Sequence, residues 1–300
     1  RKTGWEIWEE KEINKVFEYC EGYKSFISEN KTVREFAKSC IKIAEKAGFK
    51  DLNEFKSLKK GDRFFKINKG KEVIFGIIGE RKLSDGCKFI VAHMDCPRID
   101  LRVNPLYEDE KICLFKTYYY GGIKKYQWLT IPLSMHGIVF LKDGTVKEIK
   151  IGDKEDEPVF TITDLLPHLA RDQMKKTIEE GFPGENLNVL VGTIPDKNKD
   201  KEKVKSNILK ILKDFYGIEE DDFVSSEIEF VPAVRAKDSG IDKSLILAYG
   251  QDDRVCSYAS FTGFLDSIES GNNNFCILVD QEEIGSRGST SASSSFFEFF

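Results

Sequence analysis

Three short apolar runs, each leading into a cluster of charged residues, constrain this 300-residue chain more than any other feature. Phe89-Ile90-Val91-Ala92 leads into His93-Met94-Asp95, Leu245-Ile246-Leu247-Ala248-Tyr249-Gly250 into Asp252-Asp253-Arg254, and Phe275-Cys276-Ile277-Leu278-Val279 into Glu282-Glu283. Each run is short, rich in β-branched or aromatic residues and bounded by Gly, Asp or Asn, so it reads as strand rather than helix. Continuously apolar strands suit a sheet buried on both faces. All the charged chemistry then sits at strand C-termini, the edge of an open α/β sheet where ligands bind.

The stretches between these motifs complete an α/β reading. Thr32-Val33-Arg34-Glu35 is a capping-box sequence opening an amphipathic helix through Phe36, Ile41, Ile43 and Ala44, with Gly48 suited to its end. A strand is expected around Val73 to Gly79. From about Asn104 to Ser239 the texture changes to aromatic strands, turns and polar connectors, with a good hairpin turn at Asp143-Gly144. Residues 104–239 therefore read as a β-rich domain inserted into a domain made of residues 1–103 and 240–300. Between Asp252 and Glu282 there is room for a helix over Val255 to Glu269, a stop at Gly271-Asn272-Asn273-Asn274 and a return strand. That connection would bring both acidic motifs to one edge.

Composition excludes several classes of function. A net charge of −5 and a pI near 5.5, with no basic stripe interleaved with aromatics, argue against a nucleic-acid partner. No stretch approaches the ~18 apolar residues of a membrane span, and nothing near Arg1 reads as a signal peptide, so the expected location is the cytoplasm. Seven cysteines, scattered and without a Cys-x-x-Cys pair, indicate neither a disulfide framework nor a zinc knuckle. Most read as small buried hydrophobes. The charge-dense Asp196 to Lys203 segment reads as a solvated loop, and Ser289 to Ser295 as a tight small-residue loop entering a helix. The closing Phe296 to Phe300 run looks like a helix that should continue.

Taken singly, the motifs are ordinary. His93 beside Asp95 could be a core histidine satisfied by a carboxylate, Asp252-Asp253 a turn, and Glu282-Glu283 a solvated loop. Taken together they meet a chemical requirement. Two zinc-like ions a few ångströms apart need a carboxylate that bridges them, a histidine nitrogen, a further carboxylate, and a free carboxylate to accept a proton from water. Which of Asp252 and Asp253 bridges is left open by composition. Of the other histidines, His136 reads as structural, and His168, between Pro167 and Leu169 on a helix-like run, reads as packed or surface-exposed.

The strings Val91-Ala92-His93-Met94-Asp95-Cys96-Pro97-Arg98, Gly250-Gln251-Asp252-Asp253-Arg254-Val255-Cys256 and Asp280-Gln281-Glu282-Glu283-Ile284-Gly285-Ser286 resemble the aspartyl aminopeptidase family of two-zinc metallo-aminopeptidases. Pro167-His168-Leu169-Ala170 and Ser293-Ser294-Ser295-Phe296-Phe297-Glu298 match it too, and Tyr119-Tyr120-Gly121-Gly122 onward looks like its bacterial aminopeptidase 1 branch. The resemblance implies a zinc-peptidase-like sheet with helices on both faces, and a β-rich insert that makes dimer contacts within a homo-oligomeric dodecamer. It implies His93 as a ligand of one zinc, Asp252 as the bridge and Glu283 as a ligand of the second zinc. Glu282 would be the general base that takes a proton from the bridging water to leave a bridging hydroxide, Asp95 the carboxylate behind His93, and His168 a residue presented to a neighbouring subunit's site. A histidine that binds a metal usually donates its other N–H to a carboxylate, and a base must stay off the metals, in keeping with those roles.

Two departures from the family stand out. One more carboxylate and a distant histidine of its metal site would lie beyond Phe300, and the family's Trp-Phe-Asp-Arg-Asp is here Trp128-Leu129-Thr130-Ile131-Pro132, without the charges expected of acidic-substrate specificity. The expectation is a metallo-aminopeptidase acting on peptides. Its alternatives are a carboxypeptidase or deacylase on the same core, or a catalytically inactive scaffold subunit.

Overall fold

The capping chemistry at Thr32 behaves as its sequence predicts in the computed structural model, which describes residues 1–299. Thr32 Oγ1 accepts a bond from the Glu35 N–H at 3.2 Å, and the Glu35 carboxylate accepts one from the Thr32 N–H at 3.0 Å. These bonds satisfy N–H groups that the first helical turn leaves without partners. The helix so started, α3 (Val33–Lys46), follows α1 (Gly4–Ile7) and α2 (Glu10–Glu29). It buries Val33, Phe36, Ala37, Cys40 and Ala44, the i, i+3, i+4 pattern of one apolar stripe. Four strands follow: β1 (Lys50–Asp51), β2 (Arg63–Asn68), β3 (Glu72–Ile77) and β4 (Lys88–His93).

The next stretch, Pro97–Val234, is a unit of its own. It contains β5 (Arg98–Asp109), β6 (Ile112–Tyr120), β7 (Leu133–Phe140), β8 (Val146–Ile151), α4 (Ile178–Gly181), β9 (Val189–Gly192), α5 (Lys203–Tyr216) and β10 (Glu227–Pro232). Its six strands form one antiparallel sheet in the order β8-β7-β10-β5-β6-β9. The Asp143-Gly144 turn joins β7 to β8, where Gly144 takes a positive φ of 86° and the Asp143 carboxylate accepts from the Thr145 N–H at 2.9 Å. The unit begins at Pro97 and ends at Val234, so the expected boundaries at 103/104 and 239/240 fall inside β5 and just after a strand of the other unit. Composition changes along the strand, whereas the structural boundary lies where the chain changes packing partners. Helix α5 is not expected from the sequence. Its buried Val204, Ile208 and Leu212 recur every four residues, a helical signal masked by the lysines between them.

The chain then returns to the first unit through β11 (Lys237–Ser239), β12 (Leu245–Leu247), α6 (Gln251–Asp266) and β13 (Asn274–Val279). Its main sheet has the order β1-β2-β3-β13-β4, with β13 antiparallel to β3 and parallel to β4. One face of this sheet, with Phe65, Val73, Phe75, Ile77, Ala92, Cys276 and Leu278, packs against α3 and against Phe261 and Phe264 of α6. The parallel register sets Ala92 beside Leu278 and His93 beside Val279, so the first and third charged motifs leave the sheet side by side.

Two of the apolar runs differ from the buried strands expected of them. In β4, the edge strand, Phe89, Ile90 and Val91 are exposed. The run from Leu245 is not in the main sheet: β12 pairs only with β11, and Leu245 and Leu247 are exposed. An apolar run shows what a segment would gain by burial, and the neighbours available decide whether the burial happens. The second motif therefore reaches the site from the start of α6 rather than from the end of a central strand. No disulfide joins any of the seven cysteines, and Cys40, Cys96, Cys113 and Cys276 are buried. No helix among the described residues is long and apolar enough to cross a membrane.

Candidate metal centre

His93 ends β4, and its ring is held from behind. Nδ1 lies 3.0 Å from the Asp95 carbonyl oxygen and 3.2 Å from Asp95 Oδ1, which leaves Nε2 facing outward. Asp95 is fully buried and does more than orient the imidazole. Its two carboxylate oxygens accept the backbone N–H groups of Glu282 and Glu283, each at 3.1 Å. One carboxylate thus ties the end of β4 to the short 3-10 turn Glu282–Ile284 that follows β13. Behind that turn the serine tract closes a tight loop: Ser291 Oγ donates to the Ser286 carbonyl at 3.0 Å, and Thr290 Oγ1 to the Asp280 carboxylate at 2.9 Å. The loop runs into the short 3-10 turn Ser295–Phe299, where the sequence predicts a helix entry.

Asp252 arrives on a different element. Gly250 precedes α6 with a φ of 78°, and a Cβ there would stand 2.9 Å from the Arg254 guanidinium and 3.0 Å from Cys96 Sγ. Only glycine suits both the backbone and the close approach. Asp252 and Asp253 are joined by a cis peptide and depart from helical geometry inside α6, which spans Gln251–Asp266 where the sequence predicts Val255 to Glu269. The Asp252 carboxylate faces His93, with Oδ1 at 3.5 Å from Nε2.

Among the described residues, His93, Asp252 and Glu283 form the one cluster whose donor atoms all lie within 4.8 Å of one another. Around one tetrahedral zinc, with bonds of about 2.0–2.2 Å, ligand atoms stand roughly 3.4 Å apart. The His93–Asp252 separation matches that spacing. A nitrogen with two carboxylate oxygens is also a donor set that zinc accepts. Of the adjacent aspartates, Asp252 is the one whose carboxylate converges with the other two groups. Glu282 stands beside the cluster, with Oε2 at 3.7 Å from His93 Nε2 and its side chain about half exposed.

The charges favour a cation at this point. Burial works against a charge on His93, but the hydrogen bond and charge of Asp95, with the charges of Asp253 and Glu282, outweigh it and push its pKa up to about 9. Burial, followed by the negative charges of Asp252 and Asp95, raises that of Glu283 above the ordinary carboxylate range. A divalent ion relieves this crowding of carboxylates.

The other sequence candidates fall elsewhere. His168 lies in the Pro97–Val234 unit on the isolated turn Pro167–Leu169, exposed to solvent, where the sequence predicts a helix-like run. A bond from the Ala170 N–H to the Leu166 carbonyl at 3.0 Å closes this turn, and Leu165, Leu166 and Leu169 around it are exposed. His136 is fully buried in β7, 3.0 Å from Ser134 Oγ and 3.3 Å from the Asp153 carboxylate, as a structural histidine would be. Two residues at the centre, Arg254 and Ser257, both buried on α6, are not among the candidates that the sequence suggests. Arg254 belongs to a recognised motif without a role assigned to it, whereas nothing in the sequence distinguishes Ser257 from other helix serines.

A mixed α/β unit that presents a histidine and carboxylates at adjacent strand ends is an architecture suited to a metal-dependent hydrolase. The chain belongs to the M18 family, whose sequence profile, Aminopeptidase I zinc metalloprotease, matches residues 26–300. It is 45% identical over 99% of its length to a protein of Clostridium acetobutylicum described as "Probable M18 family aminopeptidase 1", and 48% identical over 100% of its length to the protein of the same description from Borreliella burgdorferi. The chain spans 65% and 66% of the lengths of those two relatives. The crystal structure of an M18-family aminopeptidase from Thermotoga maritima superposes with a TM-score of 0.94 at 46% identity, covering 99% of this chain and 64% of that one.

Proposed function

We propose that the protein acts as a zinc aminopeptidase that hydrolyses the N-terminal peptide bond of peptides, through a two-ion site that includes His93, Asp252 and Glu283. The observation that carries this reading is the convergence of those three donors within 4.8 Å at the ends of β4 and β13 and the start of α6, in a chain of the M18 family. In this reading Asp252 would serve both ions, His93 one and Glu283 the other. Bound zinc supplies Lewis-acid polarisation of the scissile carbonyl and a water of lowered pKa. Glu282 takes the proton of the attacking water and returns it to the leaving amine. Its position supports this role, because its backbone N–H is anchored on Asp95 while its carboxylate reaches into solvent beside His93. Asp95 keeps Nε2 of His93 turned toward the metal position.

The test uses the full chain loaded with zinc. It is expected to release the first residue of a peptide with a free amino terminus, to leave the N-acetylated peptide intact, and to lose turnover when a chelator removes the metal. Cleavage from the carboxyl end, or removal of the acetyl group, would reassign the site to a carboxypeptidase or a deacylase. A chain that binds no zinc would fit the scaffold reading instead.

Assembly completes the proposal. His168 sits on an exposed turn among exposed leucines, and an apolar patch of this kind suits a contact between subunits. In a homo-oligomer it would serve the site of a neighbouring copy. His168→Ala is then expected to lower turnover while leaving zinc content and thermal stability unchanged. Mixing it with Glu282→Gln subunits under exchange conditions should restore part of the activity, because some sites receive an intact residue from each parent. Mixed oligomers that recover nothing would end the idea of a trans-acting His168.

A further inference from the structure

At the end of β4, Met94 donates its N–H to the Val279 carbonyl at 2.8 Å, the last bond joining this strand to β13. Two carbonyls there bond to α6. Ser257 Oγ donates to the His93 carbonyl at 2.6 Å, and Arg254 Nε to the Met94 carbonyl at 2.9 Å. Both donors are buried, and the Arg254 guanidinium also lies over the Tyr249 ring, 5.4 Å from its centre. Both follow Asp252 on the stretch Gly250 to Ser257, where Gly250 closes against Cys96. The segment that carries Asp252 is therefore bonded directly to the main chain of His93 and Met94. A shift of Asp252 relative to His93 would break one or both of these bonds.

We propose that Arg254 and Ser257 are positioning residues: together they set the His93–Asp252 separation, and with it the affinity and geometry of the metal site. This inference rests on reading His93 and Asp252 as metal ligands. Neither side chain needs to touch the ion. A merely structural role would lower stability and leave the zinc affinity of the folded protein unchanged.

The experiment compares Ser257→Ala, Arg254→Met and Arg254→Lys with Phe261→Leu in the full chain. Phe261 is a buried core residue of the same helix that packs on Phe75. Zinc affinity is read by competition with a chromophoric chelator under folding conditions, ligand geometry by the visible spectrum of the cobalt-substituted protein, and stability by thermal unfolding without metal. Ser257→Ala and Arg254→Met are expected to weaken zinc binding by roughly 10–100-fold, as lost partners of metal ligands typically do, and to alter the cobalt spectrum. Phe261→Leu should lower Tm alone. Arg254→Lys keeps a cation but loses the planar fork, so it should bind zinc as weakly as Arg254→Met. Full affinity in Arg254→Lys would overturn positioning by Arg254 in favour of charge alone. Variants with lowered Tm but wild-type affinity and spectrum would overturn the inference, while the ligand reading stands. A wild-type chain without zinc affinity would overturn both.

Discussion

Glu282→Gln is expected to lower kcat by about 10²–10⁴-fold, the usual contribution of a general base, with zinc content unchanged. The substitution keeps the size of the side chain and the backbone N–H that binds Asp95. It removes only the ability to accept a proton. Steady-state turnover on a free-amino peptide, measured beside metal analysis of the same sample, makes the comparison. Activity within about twofold of the parent would show that Glu282 is not the base. Loss of metal along with activity would make it a ligand instead, which its 3.7 Å approach to His93 Nε2 leaves room for.

Asp95→Asn is expected to act on both metal affinity and folding. In the parent, its two oxygens accept the Glu282 and Glu283 N–H groups, and Oδ1 also faces the His93 ring. With an amide, one of those donors faces an NH2 group. A buried donor left without an acceptor costs about 1–3 kcal/mol, enough to lower Tm visibly. Zinc affinity should fall by roughly 10–100-fold, as it does when the partner of a ligating histidine is lost. Competitive zinc titration and thermal unfolding without metal read the two effects separately. Unchanged values in both would show that the turn Glu282–Ile284 holds its place without Asp95.

Much of the candidate site is legible in the amino-acid sequence. His93, Asp252 and Glu283 stand out because catalytic metal chemistry uses a narrow set of residue types, and because each closely follows an apolar run that marks its local element. The capping box at Thr32, the hairpin at Asp143-Gly144 and the tight serine loop are equally readable, since each is a contest between bonds only a few residues apart. Helix α5 carries a clear apolar repeat, but the lysines interleaved with it give the segment the texture of a solvated loop.

Which segments cap, turn or alternate, and which side chains are able to ligate a metal, are therefore local matters. Folding settles the rest. It placed β12 outside the main sheet and brought Asp252 to His93 from a helix start instead of a strand end. It also gave Asp95 a second duty toward the Glu282–Ile284 turn, and it enlisted Arg254 and Ser257 to bond the carbonyls of His93 and Met94. The difference is one of range. A cap or a turn is settled among neighbours in the chain, but the partner of a buried carboxylate or of a strand-end carbonyl lies 160 to 188 residues away in these bonds, and only the folded chain brings such residues together.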